Sequence, residues 1–474
     1  MTRNNPDAIV VGSGPNGLAA AITLARAGRS VRVYEAASTV GGGMRSQQLT
    51  LPGFVHDVCS AIHPFGVASP FLRELPLQEY GLEWIHPEVP VAHPLPDGRA
   101  AIMDRDLAVT ASHLGVDGPA YLRLMEPVVR LWPLAESSLL GPVLRPPAHP
   151  LAVTAIGLRA LVPTAWLGRY FKEPLAAALM AGLAGHSLLP MEALGSSAVA
   201  IVLGGLAHQV GWPMAAGGSQ QIAEAMTAYL KALGGEVITN TPVESLEQLG
   251  PARAVLLDTG PRTAARLLEG HIPSHIHRSL LRFRLGPGAY KVDYALDGPI
   301  PWKAADCARA GTVHLGGTLP EIARSEAQVA SGREPDQPYL LLAQQSLFDP
   351  SRAPRGQHTC WAYCHVPHGS RVDMQERITA QIERFAPGFR ERILATHVTD
   401  PAAFESYNAN YVGGDVVGGS NAIWSIVARP RLAFDPYFMG QRYFLCSAST
   451  PPGGGVHGMC GYHAARSALV RALA

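Results

Sequence analysis

Residues 10–43 read VVGSGPNGLAAAITLARAGRSVRVYEAASTVGGG, and the spacing of glycine and acid within them decides the fold. The apolar run Ala8 to Val11 enters a GxGxxG turn at Gly12, Gly14 and Gly17. LAAAITLARAG follows with helical character, and a second apolar run, Val31 to Tyr34, is closed by Glu35. This order predicts the opening βαβ unit of a dinucleotide-binding sheet. The first glycine permits the turn, the second lets backbone approach a pyrophosphate, and the third lets helix pack close to strand. A pyrophosphate meets the amides at such a helix N-terminus, so Gly12, Ser13, Gly14, Pro15, Asn16 and Gly17 are expected contacts. Glu35, with Ala36 beside it, is placed to accept hydrogen bonds from an adenosine ribose.

The 474 residues are 47% hydrophobic and 16% charged, enough for two or three domains with large cores. With 38 basic and 37 acidic residues the net charge is +1, which argues against nucleic acid as a partner. The six cysteines are dispersed without a CxxC, a usage that suits a reducing cytoplasm. Cys360 and Cys364 would share a strand face, and His365 and His368 follow them; a half-buried strand explains the group better than a metal site, and no metal is expected. The start MTRNNPDAIVV carries no basic-plus-apolar targeting pattern.

After Glu35 a second glycine loop, Gly41-Gly42-Gly43, precedes Met44 and Arg45. The order resembles the glutathione-reductase-type FAD fold of the amine oxidase and phytoene desaturase superfamily, and FAD is the cofactor it implies. The amine oxidases place an arginine directly after the glycine pair; here Gly43 stands there and Arg45 comes two residues later. GGSQQIAEAMTAYLKALGGEVITNTPVESL (217–246) resembles the family's returning helix and strand, with an adenine contact implied near Val243. YFLCSASTPPGGGVHGMCGYHAARSAL (443–469) resembles its closing motif, so Gly454, Gly455, Val456 and Met459 are expected at the flavin's pyrimidine end. Amides at that helix end would stabilise an anionic reduced flavin. GGDVVGGSNAIWSIVARPRL (413–432) narrows the likeness to the phytoene-desaturase-like branch called pyridine nucleotide-disulfide oxidoreductase domain-containing proteins. Disulfide reduction itself does not fit, because neither a second nucleotide fold nor a reactive cysteine pair is found.

The expected fold class is α/β: a glutathione-reductase-type FAD-binding Rossmann-like domain with an inserted α+β substrate domain. The FAD domain is expected from 1–90, 217–275 and 433–474, and the substrate domain from 91–216 and 276–432. The first inserted block reads as mostly helical. Residues 193–223 contain no Asp, Glu, Lys or Arg, yet Gly195, Gly204, Gly205 and Gly211 interrupt them, so a buried helix beside a pocket is expected and no integral membrane span. The apolar, Arg-dotted stretch 152–172 leaves peripheral membrane contact open.

Only four lysines occur: Lys172, Lys231, Lys291 and Lys303. GPGAYKVDYALDGPIPW (286–302) resembles the amine-oxidase strand whose lysine holds a water at flavin N5, which makes Lys291 the first catalytic candidate. The plain reading is a strand lysine reaching solvent or pairing with Asp293. His63 and His457 are weaker candidates, each equally readable as a hydrogen-bonded structural histidine. His271, His275 and His277 read as a solvated loop; Tyr407, Asn408 and Tyr411 read as packing before a glycine pair; Cys446 and Cys460 are the handles for covalent flavin attachment.

The resemblance implies a cytoplasmic flavoprotein, with membrane association left open, that transfers hydride from an apolar, unsaturated or isoprenoid or lipid-like small molecule to flavin N5, by desaturation or isomerisation. Oxygen and quinone are both candidate acceptors. The alternatives are an amine or amino-acid oxidase and, from another class, a flavin-binding interaction protein without turnover.

Overall fold

The computed structural model describes residues 5–474, so Met1 to Asn4 of the stretch read for a targeting pattern lie outside it. Strand Ala8–Val11 pairs in parallel with Val31–Tyr34 on one side and Ala254–Leu257 on the other. Glu236–Ile238 extends the first edge and Tyr443–Leu445 the second, both in parallel; Phe438–Gly440 then turns back antiparallel. All four residues of Ala8–Val11 and of Ala254–Leu257 are buried, as continuous apolar runs in a parallel sheet covered on both faces must be. Helix Pro15–Arg26 packs on helix Met459–Arg471 over one face. The contact needs glycine: a Cβ at Gly461 would overlap the Asn16 carbonyl. Ile276 and Leu280, on helix Ser274–Leu281, join the core on the other face, so chain beyond 275 still packs on this sheet.

A second sheet has seven strands, in the order Ile393–Thr399, Gly288–Leu296, His358–Val366, Leu340–Ala343, Ala310–Leu315, Val89–Pro94, Ala100–Met103. Its one parallel pair joins Ala310–Leu315 to Val89–Pro94. Alternation sorts its side chains by face. Tyr290, Val292, Tyr294, Cys360, Ala362 and Cys364 form one core with Ile378, Ile382 and Phe385 of helix Gln375–Phe385. Lys291, Asp293, Trp361 and Tyr363 therefore face the opposite way. On that second side, helices Pro174–Gly185 and Ala198–Gln209 are apolar nearly all round and buried, as expected for 193–223.

Two expectations change. The His271–His277 segment is not a loop: His275 and His277 lie on helix Ser274–Leu281, His277 bonds the Ala265 carbonyl at 3.2 Å, and His271 packs on Tyr443. The strand bearing Cys360 and Cys364 is buried on both faces rather than half-buried, because helix Gln375–Phe385 covers the cysteine side.

Candidate functional site

The two glycine loops meet. Gly41 N–H donates to the Ser13 carbonyl at 3.0 Å, and a Cβ on Gly42 would stand 3.1 Å from the Gly14 Cα. Gly12 and Gly41 have φ of +100° and +119°, a region that favours glycine. Ser60 N–H donates to the Gly43 carbonyl at 3.0 Å, bringing in residues 59–63. Tyr407 donates its hydroxyl to the Gly42 carbonyl at 2.5 Å, and a Cβ on Gly43 would meet the Tyr411 hydroxyl. The closing turn packs close to two other segments: a Cβ on Gly454 would lie 2.6 Å from the Val417 carbonyl, and one on Gly455 would lie 3.4 Å from Phe65.

Glu35 is buried at the end of its strand with four donors on its carboxylate. Ser13 N–H (3.0 Å) and Ser13 Oγ (2.5 Å) reach Oε2, and Ala37 N–H (2.9 Å) and Arg45 Nη2 (3.0 Å) reach Oε1. Four donors match the lone-pair capacity of a carboxylate, so a ribose hydroxyl would displace the rotatable Ser13 hydroxyl or share with it. Arg45 also donates to the Thr39 carbonyl and lies 5.4 Å over the Tyr407 ring, so its guanidinium serves Glu35 and the loop before Gly41. Thr241 N–H donates to the Glu35 carbonyl at 2.8 Å, which carries Val243 past the same strand end, half-buried against Ile9 and Val11. Met44 is buried in the core beneath.

An acid not anticipated from sequence lies in the first loop. Asp258 ends strand Ala254–Leu257, and its Oδ2 accepts Gly17 N–H at 2.9 Å. A Cβ on Gly14 would stand 2.7 Å from the same oxygen. Burial pushes the Asp258 carboxyl up to about 7, and Glu35 pushes the same way, against the Gly17 and Gly14 amides. The residues fit a bound dinucleotide: close-approach glycines line both loops, and the buried Asn16 Oδ1 in the first has no partner.

Lys291 does not reach solvent. Its ammonium is buried, 2.5 Å from Asp293 Oδ2 and 6.0 Å from the centre of the Trp361 ring. Asp293 is 3.5 Å from His56 Nδ1 and 3.9 Å from Nδ1 of His397, its cross-strand neighbour. Burial pushes the Asp293 carboxyl up, against the pull of Lys291. His56 lies on strand His56–Asp57, which pairs with Ser46–Gln47, and Val58 N–H donates to the Arg45 carbonyl at 2.9 Å, so the Asp293 contact leads toward the end of the second glycine loop.

His63 and His457 are both held by protein. His63 Nε2 pairs with Ser219 Oγ at 2.8 Å; His457 Nδ1 accepts Met459 N–H at 3.0 Å, and its carbonyl accepts the Ser69 hydroxyl at 2.6 Å. Burial brings each down to about 4, so both are neutral at pH 7. They order the turns around the site. Cys446 and Cys460 are fully buried thiols; burial raises Cys446 well above its ordinary value and Cys460 to about 12, so neither stands as a thiolate. His365 pairs with Glu326 at 2.9 Å and His368 with the Gly286 carbonyl at 3.0 Å, and no metal-holding group occurs among the described residues.

Residues 10–75 match the family model of the NAD(P)-binding Rossmann-like domain. The chain is 25% identical to pyridine nucleotide-disulfide oxidoreductase domain-containing protein 2 of Mus musculus, over 97% of this chain and 92% of that protein. It is 27% identical to the neurosporene-forming phytoene desaturase of Cereibacter sphaeroides, over 55% and 54% of the two chains. A putrescine oxidase structure superposes with a TM-score of 0.64 at 20% identity, covering 98% of this chain and 99% of that one, which establishes the shared fold.

Proposed function

We propose that this chain, a homologue of the pyridine nucleotide-disulfide oxidoreductase domain-containing proteins and the phytoene desaturases, is an FAD-dependent oxidoreductase acting on an apolar, unsaturated or isoprenoid or lipid-like small molecule. The observation that carries the reading is the Lys291 ammonium, buried in a pair with Asp293, which stands 3.5 Å from His56 on the short strand paired with Ser46–Gln47, just after the second glycine loop. A buried cation there supports negative charge developing beside it. Bound FAD supplies a two-electron acceptor for a hydride from a substrate carbon. Gly12 to Gly17, Glu35, Ala36, Gly41 to Gly43 and the backbone at Val243 would hold its adenylate half, and Gly454, Gly455, Val456 and Met459 its far end. Trp361 and Tyr363 flank Lys291 and would orient an apolar chain and exclude water.

The experiment is anaerobic mixing of the flavin-loaded protein with polyenes, acyl lipids and amines, following flavin absorbance. Bleaching by polyenes or acyl lipids supports the reading. Bleaching by amines supports the amine-oxidase alternative, which the stacked Tyr407–Tyr411 pair favours as an aromatic wall. Arg45 already covers one face of Tyr407, which counts against that wall receiving an amine. Full flavin occupancy without bleaching by any of them would favour a binding protein.

The reading extends to a bilayer. No single helix among the described residues is long and apolar enough to cross a membrane, but helices Pro150–Ala160 and Thr164–Leu167 meet at a sharp bend and present outward-facing apolar side chains. Leu151 is 86% exposed, Leu158 67% and Trp166 64%. Arg159, Arg169 and Lys172 accompany them without an acid between 150 and 172. Exposed apolar groups beside cations suit the surface of an anionic membrane, from which an apolar substrate could be drawn.

A further inference from the structure

The acid in the first glycine loop has no counterpart in the chemistry described so far. Asp258 and Gly17 are 241 residues apart in sequence, yet the carboxylate caps the third-glycine amide at the start of helix Pro15–Arg26. A helix start carries partial positive charge and favours an anion, and here the protein supplies one itself. Parallel pairing sets the position: Leu257 lies opposite Val11, and Asp258 N–H donates to the Val11 carbonyl at 2.8 Å. The backbone carbonyl of Asp258 is fixed as well, receiving the Asn410 amide at 3.3 Å, so the acid is not free to swing away with its loop.

Its charged surroundings sharpen the conflict. Glu35 is the acid acting on Asp258 across the loop, and Cys446 and Cys460 are buried thiols beside it. None of the ion pairs among the described residues includes Asp258; Arg45 is paired with Glu35. A pyrophosphate brought to this helix start would add anionic oxygens beside a carboxylate that already takes up its amides and has no ion-pair partner. Like charges so close cannot both persist in a partly desolvated site.

Resting on the reading that the loop holds FAD, we infer that Asp258 is a cofactor-binding residue that works in its neutral form: loading of FAD takes one proton from solvent onto the Asp258 carboxylate. The balance is simple. Ionised Asp258 plus a solvent proton gives the carboxylic acid, and its O–H becomes a donor in a cradle otherwise built of backbone amides. The acid thereby makes cofactor retention respond to pH, which a cradle of glycine amides alone would not do. Since burial already holds the carboxyl near neutrality, the coupling falls at and above pH 7.

The test is calorimetric titration of FAD into the flavin-free whole chain at pH 6 and pH 8, in buffers of different ionisation enthalpy. The expected result is close to one proton taken up per FAD at pH 8 and an affinity about tenfold weaker at pH 8 than at pH 6, since one linked proton weakens binding about tenfold per pH unit only above about pH 7. Asp258→Asn should bind FAD with no proton uptake and equal affinity at the two pH values. Binding without proton uptake in the unaltered chain overturns the inference while leaving the flavin reading intact, and needs no variant. Proton uptake that persists in Asp258→Asn assigns the proton elsewhere and overturns it too. Failure of FAD to bind at either pH removes the flavin reading, and the inference with it.

Discussion

Lys291 and Asp293 stand two residues apart on one strand, and their charged groups meet at 2.5 Å with both side chains out of solvent. A strand puts residues i and i+2 on the same face, so the pairing follows from the backbone. Its consequence is a cation held on one face of the sheet, beside His56.

Lys291→Met keeps the side-chain volume and removes the charge. FAD should still bind, and one half-reaction should slow by roughly one to three powers of ten, about 1.4 to 4 kcal/mol of barrier. Stopped-flow flavin absorbance measures it; wild-type rates in both half-reactions would remove Lys291 from the mechanism.

Asp293→Asn leaves the ammonium buried without its anion. Breaking one side of a buried pair costs about 3 to 5 kcal/mol, and His56, which burial takes down to about 3, is a neutral ring that supplies no counter-charge. Urea unfolding should show this loss, and the double variant Lys291→Met with Asp293→Asn should recover much of it.

Acid should unfold the protein over a defined window. Burial depresses His63, His93, His457 and His463 to about 4 from 6.5. Unfolding lets each take up a proton that the fold refuses, so stability is intact above pH 6.5 and falls as pH drops through 4, by up to about 3 kcal/mol for each fully buried ring. Asp258, raised rather than lowered, opposes this as one group: its contribution to stability diminishes as pH rises from 3.8 to 7. Thermal melting between pH 4 and pH 8 should therefore show a rise in Tm up to about pH 6.5, and a flat profile would contradict the burial of these rings.

Charge on the bent helix pair should abolish membrane binding without unfolding. Leu151→Glu with Leu158→Glu alters two exposed positions. Co-sedimentation with phosphatidylglycerol vesicles should fall at least tenfold, each Glu weighing against about 1 kcal/mol or more of apolar insertion and adding repulsion. Equal sedimentation of variant and parent would place any bilayer contact elsewhere.

The glycine loops were legible because their demands are local: a turn, a close approach, an acid at the next strand end. Lys291 with Asp293 was legible for the same reason. Asp258 was not, because nothing within LLDTGP reveals that parallel pairing sets it against Gly17. Nor were the roles of His63 and His457 separable by sequence. The Ser219 hydroxyl that holds His63 lies 156 residues away, and the Ser69 hydroxyl that fixes the His457 carbonyl lies 388 away. Arg45, two positions late for the family pattern, found its use in pairing with Glu35 across ten residues.

The order of strands in the first sheet has a consequence during synthesis. Ala254–Leu257 lies between Ala8–Val11 and Tyr443–Leu445, and helix Met459–Arg471 covers the opening helix. On a ribosome adding about 5 to 20 residues per second, the N-terminal βαβ unit waits tens of seconds or more for the strand and helix that complete its layers. Through that interval the apolar flanks of helix Pro15–Arg26 lack their final cover, and strand Val89–Pro94 likewise waits for Ala310–Leu315, so both sheets close late in synthesis.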